Sequence, residues 1–305
     1  MDVRHLLLLR DLEERGSVTA VAEATHRTPS AVSQQLRGAA RELGLPLVEA
    51  HGRGVRLTEA GRLLAHGGRD VARTLAEVTA RWDAFRGHPA GQVSVACLPS
   101  AAAFLLPAVL RELSVAEPGL DLVCTDVDLA EDAYAALVLD HDLVIAHSLT
   151  RAAPAGTDGL VTRVLAREPL DIAMRRGHPL AARESLNPED LVGWEWYGVP
   201  LGFPFDTVRL AVEEATDARI EVVQRIRDNR LVEALVADSD RLAVLPRFTT
   251  PPGSGVELRP LAAIPTARYV VAVLRPDKAE RLAVRRVLAA LVSAGASAEA
   301  GAGPG

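Results

Sequence analysis

Three helix-sized patterns, each fenced by its own punctuation, fill the first 44 residues, and no other stretch of the chain limits the fold as tightly. In the first, Leu6, Leu9 and Leu12 recur near helical spacing over residues 3–14, and Gly16 ends the run. The second begins at Ser17, whose hydroxyl suits an N-cap, and reaches Thr25 with Val18, Val21 and Ala22 inward. The third takes Thr28 as its N-cap and Pro29 as its first helical residue, where a missing N–H costs nothing, and stops before Gly44. After Pro46, the runs LVEA and VRLT are separated by His51, Gly52, Arg53 and Gly54, a hairpin signal that predicts a wing.

The third helix has two faces. Ser30, Ser33, Gln34, Arg37 and Arg41 fall on one stripe, and Val32, Leu36, Ala39 and Leu43 on the opposite one. Short hydrogen-bonding groups followed by arginines are what a major groove asks of an inserted helix: donors and acceptors for base edges, cations for phosphates. Small Ala22 and Val32 suit the close approach of the two helices in a helix-turn-helix. An ordinary amphipathic helix would carry the same stripe, but local charge argues further. Residues 27–56 hold five Arg against two Glu, although the whole chain has a net charge of -6. A local basic excess can meet phosphates while the remainder repels them.

From Thr58 to Phe85 a long helix is expected, with Leu64, Val71, Val78 and Phe85 seven apart and Leu75 and Trp82 at the companion positions of a heptad seam. Gly67 and Gly68 interrupt it at about 1 kcal/mol each, which predicts a partner helix and hence dimerisation. GHPAG, residues 87–91, is the best domain boundary. Beyond it, strands Val93–Cys97, Leu120–Val127 and Leu143–Ala146 alternate with helices Ala102–Leu113 and Asp132–Leu139. A second series has strands at Leu170–Met174, Trp194–Val199, Ile220–Gln224 and Leu242–Leu245, with helices Asp206–Ala215 and Arg230–Val236. Strand Tyr269–Leu274 and helix Asp277–Ser293 close the chain. Such alternation predicts βαβ units, parallel sheets and two α/β lobes.

Two cysteines in 305 residues make no disulfide framework, and no basic then apolar leader opens the sequence, so a cytoplasmic protein is expected. No apolar run approaches the roughly 18 residues of a bilayer span, so no membrane partner is expected. The last stretch, SAGASAEAGAGPG from Ser293, reads as a disordered tail. There is no HExxH, CxxC, nucleophile elbow, phosphate loop or dinucleotide fingerprint, so neither metal, cofactor nor catalysis is expected.

Ligands of α/β lobes sit at the carboxyl ends of parallel strands, against helix N-termini. Those ends nominate Pro99, Ser100 and Ala101 after the first strand, Asp126 and Asp128 after the second, and His147 and Ser148 after the third. From the second lobe, Gly202, Phe203 and Asn229, read as the N-cap of its helix, should face them. Ser100 and Asn229 could equally serve only as helix caps. If the acids face the cleft, a cationic or zwitterionic effector such as a basic amino acid is favoured over a dicarboxylate. Cys97 and Cys124 fall on buried strands as small hydrophobes, with a redox pair as the alternative.

The segment SVTAVAEATHRTPSAVSQQLRGAARELGLPLVEAHGRGVRLTEAG closely resembles the winged helix-turn-helix of LysR-type transcriptional regulators. GHPLA (177–181) and AVLP (243–246) carry the likeness into the later part. The resemblance implies an α+β and α/β multidomain chain. Residues 1–58 would be the DNA-binding domain, 59–87 a linker helix, 91–163 with 266–293 one lobe of a periplasmic-binding-protein-like effector domain, 164–265 the other, and 294–305 a tail. It places Thr28, Pro29, Ser30, Ser33, Gln34 and Arg37 on the recognition helix and Arg53 and Arg56 on the wing. Implied partners are double-stranded DNA with a dyad-symmetric operator, a small-molecule effector, RNA polymerase and further copies of the chain in a homodimer or tetramer. The chain departs from the family at Val48, where an aromatic is usual, and at Ala50, where an arginine is usual. The enzyme alternative, an α/β crevice with the N-terminal segment used for oligomerisation, predicts turnover of a metabolite.

Overall fold

The computed structural model describes residues 1–52, 54–86, 89, 91–149, 152–201, 203, 205–250, 253–264 and 266–301. The chain divides into two compact units, Met1–Ala90 with Arg275–Arg285, and Gly91–Leu274 with Arg286–Gly305.

In the first unit, local punctuation sets each helix. The Asp2 carboxylate caps α1 (Val3–Arg15), which Gly16 ends at φ 73°. Ser17 Oγ accepts from Ala20 N–H at 3.1 Å to start α2 (Val18–Ala24). Thr28 Oγ1 accepts from Ala31 N–H at 3.2 Å to start α3 (Pro29–Leu43). His26, at φ 52°, turns the chain sharply between α2 and α3. Their inner faces share one core that includes Leu9, Leu12, Val21, Ala22, Val32, Leu36 and Ala39. Each larger aliphatic buried there contributes about 1.5–3 kcal/mol.

The wing is the antiparallel pair β1 (Val48–His51) and β2 (Gly54–Leu57), with His51 opposite Gly54. Thr58 then does two things. Its hydroxyl donates to the Pro46 carbonyl at 2.8 Å and accepts from Gly61 N–H at 3.0 Å, capping α4 (Glu59–Phe85). Gly61 is buried, and a Cβ there would collide with the Leu47 carbonyl. Gly68 is likewise buried, against the Leu6 carbonyl. The glycine pair expected to weaken α4 thus has another use at one of its two positions: Gly68 is where α1 crosses at backbone distance. Leu75, Val78, Trp82 and Phe85 of the heptad seam are exposed.

The second unit contains β3 (Gly91–Cys97), α5 (Pro99–Ala116), β4 (Leu120–Asp126), β5 (Leu143–Ser148), β6 (Val161–Arg175), β7 (Glu195–Gly198), α6 (Asp206–Thr216), β8 (Glu221–Arg225), α7 (Asn229–Ala237), β9 (Leu242–Pro246), β10 (Val256–Arg259) and β11 (Ala267–Leu274). Their order in the sheet is β4-β3-β5-β11-β6-β9-β7-β8, with β10 beside β6. The pairs β3·β4, β3·β5, β7·β8 and β7·β9 are parallel, as the alternating pattern predicts. β6 and β11 are not. β6 runs antiparallel to β11 over Val161–Pro169, then to β9 and β10 over Leu170–Arg175, so one strand belongs to both lobes. The apolar run Leu170–Met174 is only its second half.

Other segments differ in detail from the sequence expectations. The segment predicted as helix 132–139 forms two short 3₁₀ turns, anchored by buried Tyr134, whose hydroxyl donates to the Val127 carbonyl and accepts from Leu129 N–H. α5 is long and apolar enough, by length and composition, to span a bilayer; its stripe Ala101, Leu105, Val109 and Leu113 is buried within the unit. The last predicted helix breaks at Arg281, which is extended, into α8 (Pro276–Glu280) and α9 (Leu282–Gly301). α8 belongs to the first unit rather than to a lobe, through Arg275–Glu14 at 2.9 Å and Asp277–Arg10 at 3.3 Å. α9 extends well past the start of the expected tail. Gly295 lets it approach the Leu165 backbone, Ala294 is buried, and the Glu299 carboxylate accepts from Arg167 N–H. Small residues that read as disorder are here a close-packing surface.

Candidate functional site

On α3 the Val32, Leu36 and Ala39 face is sealed against the core, which turns the other stripe outward. Thr28, Pro29, Ser30, Gln34 and Arg37 are exposed, and Ser33 is half-buried. Thr28 and Ser30 exchange a hydroxyl contact at 3.0 Å, so the helix opening presents a preset pair of oxygens. On the wing, Arg56 donates to Glu49 across the hairpin at 2.7 Å, with both side chains about half exposed. Such a pair contributes little, and a phosphate can compete for the guanidinium. Arg53 lies outside the described residues.

The second unit holds a cavity of about 380 Å³, toward the lower end of the range for small-molecule sites. Ser100, His147, Phe203 and Asn229 line it. Ala101 is fully buried but not in its wall, Ala103 being there instead; Asp126 ends β4 away from it, with Asp128 lining it; and Ser148 is buried in β5 outside it. Gly202 lies outside the described residues. Asn229 is the first helical residue of α7, whose N-cap is Asp228: that carboxylate accepts from Arg230 N–H at 2.7 Å and Leu231 N–H at 3.2 Å.

The cavity's polar wall is built around the N-terminus of α5, which carries no side-chain cap. Ser100 Oγ, in its first turn, accepts from Arg268 Nη2 at 2.9 Å. Arg268 is almost wholly buried, is held by Glu168 at 2.7 Å through Nε, and lies over the Phe205 ring at 5.4 Å. His147 is also buried, and neither ring nitrogen has a hydrogen-bond partner among the described residues. Burial, with the Arg268 charge adding to it, pushes the imidazole pKa down to about 3, so it stays neutral with one donor and one acceptor to offer. Elsewhere in the wall, Asp128 stands 3.7 Å from Arg227, which lies 5.0 Å over the Phe203 ring. Burial raises the Asp128 carboxyl, and the Arg227 charge offsets part of that.

Residues 3–62 match the model of the bacterial regulatory helix-turn-helix proteins of the lysR family, and residues 86–296 match the LysR substrate binding domain. The chain belongs to the LysR family of transcriptional regulators. It is 28% identical over 204 residues to the regulator GbpR of Rhizobium radiobacter, covering 65% of each chain. It is 25% identical over 289 residues to OxyR of Escherichia coli, covering 90% of each. The match thus spans just under two thirds of GbpR and nine tenths of OxyR. Among solved structures, full-length OxyR from Pseudomonas aeruginosa superposes with TM-score 0.65 at 20% identity, covering 96% of this chain and 94% of that one. CbnR in complex with its target DNA gives 0.52 at 19% identity, covering 95% and 100%. Both show the LysR fold.

For this LysR-type regulator, reading strand ends left out the cations in the cavity wall. Arg227 and Arg230 flank the α7 cap, and Arg268 enters from β11, a strand whose predicted start at Tyr269 excluded it. The available signal was an arginine at the edge of the apolar run YVVAVL. A cation beside such a strand needs a buried carboxylate, and Glu168 is 100 residues away in sequence.

Proposed function

We propose that this LysR-type regulator binds a dyad-symmetric DNA site through α3 and the wing, and that a small zwitterion of the amino acid class, bound in the second-unit cavity, alters that binding or the DNA bend. The observation that carries the effector reading is the composition of one wall. An uncapped helix N-terminus, Ser100 and neutral His147 can receive a carboxylate, while Asp128 can receive an ammonium group. The lining holds Arg227, Arg230 and Arg268 against Asp128, Asp228 and Glu233, so it favours a ligand without net charge. That shifts the sequence expectation away from a basic amino acid. Phe203, Phe205, Leu98 and Val199 supply an apolar surface for its side chain.

A heptad seam on α4 with Leu75, Val78, Trp82 and Phe85 exposed supports pairing of two chains, which would set two α3 helices in successive major grooves. Effector binding acts only through different affinity for two arrangements of the protein. The test is calorimetric titration of the full chain with neutral, basic and acidic amino acids and with dicarboxylates, followed by footprinting with whichever binds. Binding of neutral amino acids with a changed footprint is expected. Binding of a dicarboxylate alone would overturn the effector class, and turnover of any of these compounds would support the enzyme alternative.

A further inference from the structure

The chain's two cysteines meet. Cys97, at the end of β3, and Cys124, on the adjacent parallel strand β4, bring their Sγ atoms to 3.0 Å across 27 residues of sequence. Cys97 is buried and Cys124 is exposed. We propose that Cys97 and Cys124 form a reversible dithiol–disulfide site, oxidised by a hydroperoxide that reaches Cys124 from the solvent side.

The geometry selects this use over two others. Two thiolates on one zinc ion at about 2.3 Å each and a near-tetrahedral angle stand about 3.8 Å apart, farther than these sulfurs. The described residues contain no group of three metal-ligating side chains either. Two thiols serving only as small hydrophobes would both be buried, whereas here one faces solvent. Closing from 3.0 Å to the roughly 2.05 Å of a disulfide asks for a shift of about 1 Å at an edge strand of the sheet, which has a neighbour on one side only.

The steps balance. The Cys124 thiolate attacks the terminal oxygen of the hydroperoxide, breaking the O–O bond and giving a sulfenic acid and, after protonation, an alcohol or water. The Cys97 sulfur then attacks the Cys124 sulfur, expelling the sulfenic oxygen as water with the thiol proton and leaving the S–S bond. Burial pushes the Cys97 thiol pKa up, which keeps it protonated and assigns the first attack to Cys124. Cys97 immediately precedes Leu98, Pro99 and Ser100 of the cavity wall, and its carbonyl accepts from Val127 N–H at 2.9 Å next to Asp128. The cross-link therefore draws together the ends of β3 and β4 from which that wall starts. It does not depend on the effector being an amino acid.

The test uses the reduced full chain treated with hydrogen peroxide, with thiols counted after denaturation and peptides mapped by mass spectrometry. Both thiols are expected to disappear together, with a Cys97–Cys124 peptide within one chain that dithiothreitol reverses. In C124S, loss of the Cys97 thiol should slow by at least about tenfold, because the exposed sulfur is gone. In C97S, Cys124 should still react but give no disulfide within the chain. Thiols that both survive peroxide, Cys124 advancing to sulfinic acid beside a free Cys97, or disulfides only between chains would each overturn the proposal.

Discussion

The α3 surface and the second-unit cavity use charge in opposite ways. On α3 the polar groups come from ten consecutive residues, Thr28 to Arg37, and face solvent along one stripe. In the cavity wall each cation named above has a carboxylate: Arg227 with Asp128, Arg230 with Glu233, and Arg268 with Glu168. An exposed, excess-positive stripe suits a polyanion, for which counterion release supplies affinity. A charge-balanced set suits a small molecule recognised by hydrogen bonds and shape, and at its buried member, Arg268 with Glu168, an unpaired charge would not survive.

The comparison is most easily broken at Arg268. In Arg268→Ala the Glu168 carboxylate loses its partner inside the protein, and removing one member of such a pair costs about 3–5 kcal/mol. Thermal unfolding of the second unit should fall sharply, and any ligand response should vanish. Gel shifts should still show sequence-specific DNA binding if the first unit reads DNA independently of the cavity. On α3, Gln34→Ala should cost about 1–3 kcal/mol in specific binding and relax base preference at one position, as measured by competition with operator variants.

The third test is acid. His147 has a folded pKa of about 3 against 6.5 in the unfolded chain, so the unfolded state binds the extra proton. Its contribution is complete above pH 6.5 and is lost as pH falls toward 3, by about 1.4 kcal/mol for each pH unit. Denaturant unfolding between pH 6 and 4 should approach that slope, and His147→Leu should flatten it. The smallest effect belongs to Arg56→Ala. Its guanidinium is already shared with Glu49 at the surface, so stability should change by less than about 1 kcal/mol, while the salt dependence of DNA binding should drop by about one unit of slope, alike for all sequences. An unchanged slope would take Arg56 out of the interface.

The same contrast explains what could be read beforehand. Thr28, Pro29 and Gly44 fix α3 through bonds to their own neighbours, so its ends and outward stripe follow from local spacing. Ser100, His147 and Phe203 could be placed in the cavity lining from the sequence because strand ends mark the mouth of an α/β lobe. Ala101, Asp126 and Ser148, nominated beside Ser100, Asp128 and His147 at those same ends, fall outside the cavity lining, since which neighbour faces inward depends on how the strand leaves the sheet. The glycines show the limit most plainly. Gly68 and Gly295 lower helix propensity when read singly, yet each marks a backbone crossing with a segment distant in sequence.

By itself the sequence determined the winged helix-turn-helix, the outward face of α3, the long α4 and the βα alternation after residue 91. Those features are set by interactions within a few residues and by the periodicity of apolar side chains. Only the tertiary structure decided that β6 serves both lobes, that Arg268 meets Glu168 and Ser100, and that Cys97 touches Cys124. Each of those contacts joins segments whose separation in the chain carries no local energetic signal until the sheet has brought them together.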